Sequence, residues 1–277
     1  MSRTHTKTPS RADAVTAQFA GSPEVSEYAA AHSGGGTPAR YYRSRFHAVD
    51  SVLAGCPGGE LLDVGCGPGM LVEHLVRTRP DAFSITACDQ SVAMIDAVTA
   101  KVGHREDVRV SLGSVEKMPF PDACFDVVLA TGVLEYVNVD RALPEITRVL
   151  RPGGVAVVTM LNPLSPYRLV EWGLYWPARR VLGRVEAALG VPPQHRHGAR
   201  RTGIRALPAR RLRHKLSGAG LLVEDLVFYD VTYLVPPLDR LRRRRDDPDS
   251  TVRRRGVGRI LGTAYLIAAR TPGRSAP

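Results

Sequence analysis

The run Leu61-Leu62-Asp63-Val64-Gly65-Cys66-Gly67-Pro68-Gly69 sets an acid ahead of three glycines at alternate positions. Glycine lacks a Cβ and tolerates positive φ, so such a run can turn tightly and let a ligand approach the backbone. The apolar Met70-Leu71-Val72 that follows starts a helix, whose unpaired N–H groups would point at the same place. A second acid, Asp89, closes another apolar run 26 residues after Asp63, where it can accept both hydroxyls of a ribose or cap the next helix. The residues that could move a proton lie further on. Glu135 is a candidate base or a partner for a nearby arginine, and His195 and His197 are candidate bases or surface residues in a polar loop. No third ligand joins the two histidines, so no metal site is expected.

These residues need elements to hold them. Apolar residues at helical spacing predict a helix over Arg40–Leu53, packed beside the first strand. Strand and helix then alternate: strands at Leu61–Val64, Ser84–Cys88, Val108–Leu112, Phe125–Ala130 and Val155–Met160, with helices at Met70–Thr78, Val92–Val102 and Arg141–Leu150 between them. Continuous β-branched runs separated by helices indicate a mostly parallel sheet covered on both faces. The rhythm fails over 161–206, which holds both tryptophans, Trp172 and Trp176, with Tyr167 and Tyr175 beside them. It resumes with a helix at Leu207–Leu216 and strands at Leu222–Tyr229 and Ile260–Ala269. The expectation is an α/β, Rossmann-like doubly wound sheet of seven strands. It carries a substrate-cap insertion at 161–206 and an arginine-rich insertion at 230–258, after a disordered segment at 1–22.

The glycine run, Asp89, Gln90-Ser91-Val92-Ala93-Met94, the box from Gly113 to Asp122, Phe125-Asp126-Val127-Val128 and Leu150-Arg151-Pro152-Gly153-Gly154 together resemble the class I S-adenosylmethionine-dependent methyltransferases. The resemblance covers roughly residues 55–160. It implies S-adenosylmethionine as cofactor, held around Tyr42, Asp63, Gly65, Cys66, Gly67, Gly69, Asp89, Gln90, Met94, Ser114, Val115, Glu116 and Thr131. A sulfonium cofactor needs no diphosphate cradle, which suits the tighter glycine spacing; Gly69 could instead serve helix–sheet packing alone. Ser114 stands where the family commonly has an Asp for the adenine amino group, so weaker adenine recognition is expected. The resemblance also places Glu135 and Tyr136 at the boundary between cofactor and acceptor. Tyr167, Trp172 and Trp176 would then form a lid over an apolar substrate, or else core or a dimer contact.

Charge divides the chain. Residues 1–160 hold 15 Lys/Arg and 18 Asp/Glu, whereas 161–277 hold 23 and 9, most of the excess being arginine. An anionic or phosphorylated small-molecule acceptor in specialised or lipid-like metabolism would fit, as would a solvated basic surface. A nucleic-acid methyltransferase is the alternative, but the arginine clusters lack interleaved aromatics and no RNA-binding module is visible. A non-catalytic cofactor-binding protein is the third reading. The four cysteines form no CxxC pair, no stretch approaches the roughly 18 apolar residues of a membrane span, and the polar N-terminus resembles no signal peptide. A cytoplasmic protein is expected, with a homo-oligomer left open.

Overall fold

The computed structural model describes Val25, Ala30, 37–192, His195–Arg196, 204–238, Gly256 and 258–273. The expected segment 1–22, His197 and most of the arginine-rich insertion therefore lie outside the described residues. Helix α1 (Thr37–Leu53) leads into β1 (Gly59–Val64), α2 (Met70–Thr78), β2 (Phe83–Asp89), α3 (Val92–Val102), β3 (Val108–Leu112), β4 (Phe125–Ala130), α4 (Val139–Val149) and β5 (Leu150–Leu161). The chain continues through α5 (Pro166–Val170), a π-helical turn (Glu171–Tyr175), α6 (Trp176–Ala188), α7 (Ala209–Gly218), β6 (Leu222–Val231), α8 (Gly258–Leu261) and β7 (Gly262–Arg270).

The seven strands form one sheet in the order β3-β2-β1-β4-β5-β7-β6. All pairs are parallel except those of β7, which runs antiparallel to both β5 and β6. Successive side chains along a strand face opposite sides, so each strand feeds two cores. Leu61 packs with Val49, Leu53, Leu71 and Val98 of α1 to α3. Its neighbour Leu62 packs with Leu143, Ile146, Leu212 and Leu216 of α4 and α7. Burial on both faces is why the strands read as unbroken apolar runs.

The strand order reverses about β1, which pairs with β2 on one side and β4 on the other. Crossover connections leave in opposite directions there and open a crevice beyond the C-terminal strand ends. The elements follow the expected ones apart from shifted ends, the clearest being that Ile260 and Leu261, expected in the last strand, belong to α8 ahead of β7; two differences bear on the site. β6 continues to Val231, where Asp230 is buried and bonded to Arg40, so the second insertion leaves the sheet later than expected. The aromatic residues of the first insertion lie on a helical segment from Pro166 to Ala188 that is interrupted by the π turn. Pro177 explains the interruption: it lacks an N–H, and its ring would clash with the carbonyl of Gly173 in an unbroken α-helix.

Candidate active site

The glycine run forms a turn at the C-terminal end of β1. Gly65, Gly67 and Gly69 have φ of 73°, 55° and 77°, a region costly for residues with a Cβ. Their roles differ. A Cβ on Gly65 would lie 2.8 Å from Val133, and one on Gly69 would lie 2.5 Å from Val98 of α3. A Cβ on Gly67 would meet nothing within 4 Å. Gly69 thus serves packing against α3, whereas Gly65 and Gly67 form the wall of a cavity of about 630 Å³, a size suited to a small-molecule site.

Asp89 ties this turn to the next one. Its Oδ2 accepts from the Gly67 N–H at 2.9 Å and its Oδ1 from the Ser91 N–H at 2.9 Å. Burial raises its pKa, and these backbone bonds oppose the rise. Each carboxylate oxygen can accept a second bond, and Asp89 lines the cavity. Capping of α3 falls to Ser91, whose hydroxyl accepts from the Met94 N–H, so Asp89 is not the cap. Gln90, Met94, Ser114 and Val115 complete this end of the wall. The Ser114 hydroxyl accepts from the Glu116 N–H at 3.3 Å, so it braces its own turn.

Asp63 lies beneath the turn, 1% exposed, and neither carboxylate oxygen has a hydrogen-bond partner among the described residues. Burial pushes its pKa to about 7, with Asp89 adding to the rise and Arg45 opposing it. Glu135 is also buried, but it lines the cavity. Its pKa is likewise pushed to about 7 by burial, against bonds from its own backbone and that of Leu161 and the fields of Arg45 and Arg168. Its Oε2 has no partner among the described residues.

Other expected site residues are placed elsewhere. Cys66 and Thr131 are buried behind the wall. Glu116 turns away from the cavity: its carboxylate accepts from the Asn138 N–H at 2.8 Å and lies 3.8 Å from Arg141, bracing the loop after β4. Trp176, Tyr167 and Tyr136 line the cavity, whereas Trp172 does not. The stripe facing the cavity runs through Arg168, Glu171 and Tyr175, and Trp172 falls on its solvent side, 36% exposed. His195 is exposed and does not line the cavity.

The main residue that the sequence reading missed is Arg45 of α1. Its guanidinium lies 4.0 Å from the Tyr42 ring centroid and 5.8 Å from that of Tyr41. It also packs so closely on Gly132 (φ 72°) that a Cβ there would lie 2.6 Å from Nη1. The available signal was the spacing in Tyr41-Tyr42-Arg43-Ser44-Arg45, which sets Arg45 three and four residues after the tyrosines on one helix face. Tyr41 in turn meets Tyr229 of β6, hydroxyl to hydroxyl at 3.1 Å.

Residues 62–158 match the model of a methyltransferase domain, and they span the glycine turn, Asp89 and Glu135. This part of the chain carries a methyltransferase domain similar to those of the class I S-adenosylmethionine-dependent methyltransferases. Among its relatives is the malonyl-[acyl-carrier protein] O-methyltransferase of Herminiimonas arsenicoxydans, 36% identical over 118 residues, or 43% of each chain. The ubiquinone/menaquinone biosynthesis C-methyltransferase UbiE of Geobacter sulfurreducens is 34% identical over 105 residues, 36% of this chain and 41% of the relative. The chain thus spans about two fifths of the length of these relatives. The [4+2]-cyclase SpnF shares the fold over nearly the whole chain, with a TM-score of 0.62, 21% identity and coverage of 96% and 97%. The cofactor of the family is S-adenosylmethionine. Among the described residues, no helix is long and apolar enough to cross a membrane, and no three His, Cys, Asp or Glu side chains gather as metal ligands.

Proposed function

We propose that the protein transfers a methyl group from S-adenosylmethionine to a small, largely apolar or aromatic acceptor whose hydroxyl or amino group gives up a proton to Glu135. The observation that carries this reading is the Glu135 carboxyl, buried on the cavity wall with a pKa of about 7 and an Oε2 that has no partner among the described residues. A base is most effective when its pKa lies near the working pH.

Two features of the chain fit S-adenosylmethionine. The orphaned carboxylate of Asp63 suits a cationic ligand group nearby, and the open space over Gly67 leaves room for a close backbone contact. Gly65, Gly67 and Asp63 would hold the amino-acid portion, Asp89 the ribose, and Met94, Ser114 and Val115 the adenine. When bound, the cofactor supplies an electrophilic methyl group on a sulfonium, and much of the rate then comes from aligning the acceptor with it. Tyr42, Tyr136, Tyr167, Tyr175 and Trp176 on the wall would orient the acceptor and exclude water. Arg45 would act on Glu135 through its field, favouring the ionised form that takes the proton.

The wall speaks against a strongly anionic acceptor. Its two arginines, Arg45 and Arg168, face four acids, Asp89, Glu135, Glu171 and Asp230. Arg168 is paired with Glu171 at 2.5 Å, and Asp230 with Arg40 at 2.7 Å. Among the described residues, the cavity therefore has little net positive charge to offer a phosphate. The test is transfer of a labelled methyl group to a panel of phenols, aromatic amines, prenylated alcohols and phosphorylated analogues. Turnover restricted to the phosphorylated members, or to RNA, would overturn the acceptor class.

A further inference from the structure

Helix α6 is built inside out. Not one of its 13 residues is buried. At 100° per residue, Ala178, Val181, Leu182 and Val185 fall on one stripe, which Leu189 extends past the C-terminal end. That stripe faces solvent: Val181 is 57% exposed, Val185 49% and Leu189 77%. The side turned toward the protein carries Trp176, Arg179, Gly183 and Glu186, all half-buried. Arg179 is held there, donating to the Tyr175 hydroxyl at 3.1 Å and lying over the Tyr175 and Trp176 rings. Leu174, 67% exposed in the π turn, continues the apolar surface toward the cavity, where Tyr175 and Trp176 form part of the wall.

We propose that this face docks the enzyme on an anionic lipid bilayer, with the cavity wall beside the lipid surface. Charge decides between the occupants. Arg180 and Arg184 are exposed on the flank between the stripe and the inner side, Arg184 the nearer to the stripe, and the helix's one carboxylate, Glu186, lies on the inner side. A second copy seated on the same face would bring these arginines against an equally basic helix with no exposed acid to answer them. An anionic bilayer answers both features: the stripe buries in the acyl boundary while the arginines reach the headgroups. The inference does not depend on the acceptor reading, because binding to vesicles requires no turnover.

The test is co-sedimentation of the full chain with vesicles of phosphatidylcholine alone and of phosphatidylcholine mixed with phosphatidylglycerol. The wild type is expected to sediment with the anionic vesicles and only weakly with the neutral ones. The triple variant Val181→Ser, Leu182→Ser, Val185→Ser removes exposed apolar surface and should lower the bound fraction about tenfold. Arg180→Ala with Arg184→Ala should remove the preference for anionic lipid. Calorimetric binding of S-adenosylmethionine, unchanged in both variants, shows that they are folded. Wild type that stays in the supernatant, or a triple variant that binds like wild type, overturns the proposal. So does a dimer in sedimentation equilibrium that the triple substitution dissociates, since a second copy would then cover the stripe.

Discussion

Replacing Asp63 by asparagine tests the core of the cofactor site without needing the acceptor. The wild-type carboxyl has a pKa of about 7 in the folded protein against an ordinary value of 3.8, with burial as the largest cause. A raised folded pKa means that the native state holds the proton more tightly than the unfolded chain. Stability is therefore greatest below about pH 4 and falls as pH rises through about 7. The gap of roughly 3 pH units corresponds to about 4 kcal/mol at pH 8, or about 2 if relaxation and water entry ease the buried charge. The substituted amide does not titrate and escapes that cost. In the ligand-free protein, the melting temperatures of variant and wild type should lie closest together at about pH 4. They should separate between about pH 4 and 7 and then level off, with the variant ending roughly 5–10 °C higher. S-adenosylmethionine should reverse the order of benefit, because its ammonium group favours the ionised acid: the ligand should raise the wild-type melting temperature more than that of the variant. Thermal melts at matched ionic strength, with and without cofactor, provide both readings. A difference between the proteins that does not change with pH would refute the buried, titrating carboxyl. An equal ligand-induced rise would remove Asp63 from the cofactor site.

Asp89→Ala removes the acceptor of the Gly67 and Ser91 N–H bonds as well as the proposed ribose ligand. At about 1.5–3 kcal/mol per bond to a charged group, calorimetry should show at least about a tenfold weaker affinity for S-adenosylmethionine; unchanged affinity would dismiss the role. Glu135→Gln should lower kcat by about 10²–10⁴ while leaving cofactor affinity nearly intact. Wild-type kcat should rise with pH through about 7 as Glu135 ionises, and a variant with the same profile would exclude Glu135 as the base. Trp176→Ala should raise the acceptor KM more than Trp172→Ala does, because Trp176 alone of the pair lies on the cavity wall; equal effects would argue against that division.

What was legible in the sequence, and what was not, follows from how local each signal is. A strand buried on both faces announces itself as a continuous apolar run, and a turn at positive φ announces itself as glycine. The central sheet and the Gly65–Gly69 turn could therefore be read directly. Asp89 was legible because a strand end has a fixed place in a doubly wound sheet. Arg45 was not, since its role depends on α1 crossing over the end of β4, where its guanidinium meets the flat face of Gly132. The same distance misled the reading of the arginines. In the sequence their density suggested an anionic acceptor, but among the described residues the two arginines on the cavity wall, Arg45 and Arg168, stand with four acids.

Helix α6 shows why patterning alone could not sort these residues. Periodicity reveals that a helix has an apolar side without saying which way that side points. The default, apolar side inward, would have set Val181, Leu182 and Val185 in the core and the arginines outside. In the structure Trp176 and Arg179 turn inward instead, because the aromatic wall of the cavity supplies them with partners that Val and Leu could not use. Lining a cavity with aromatics from one side of the helix leaves its aliphatic side to the solvent. Such a surface costs solubility unless something covers it. The residues that shape the cavity thus leave the apolar face beside its wall, so the proposed acceptor choice and the proposed docking are coupled through one helix.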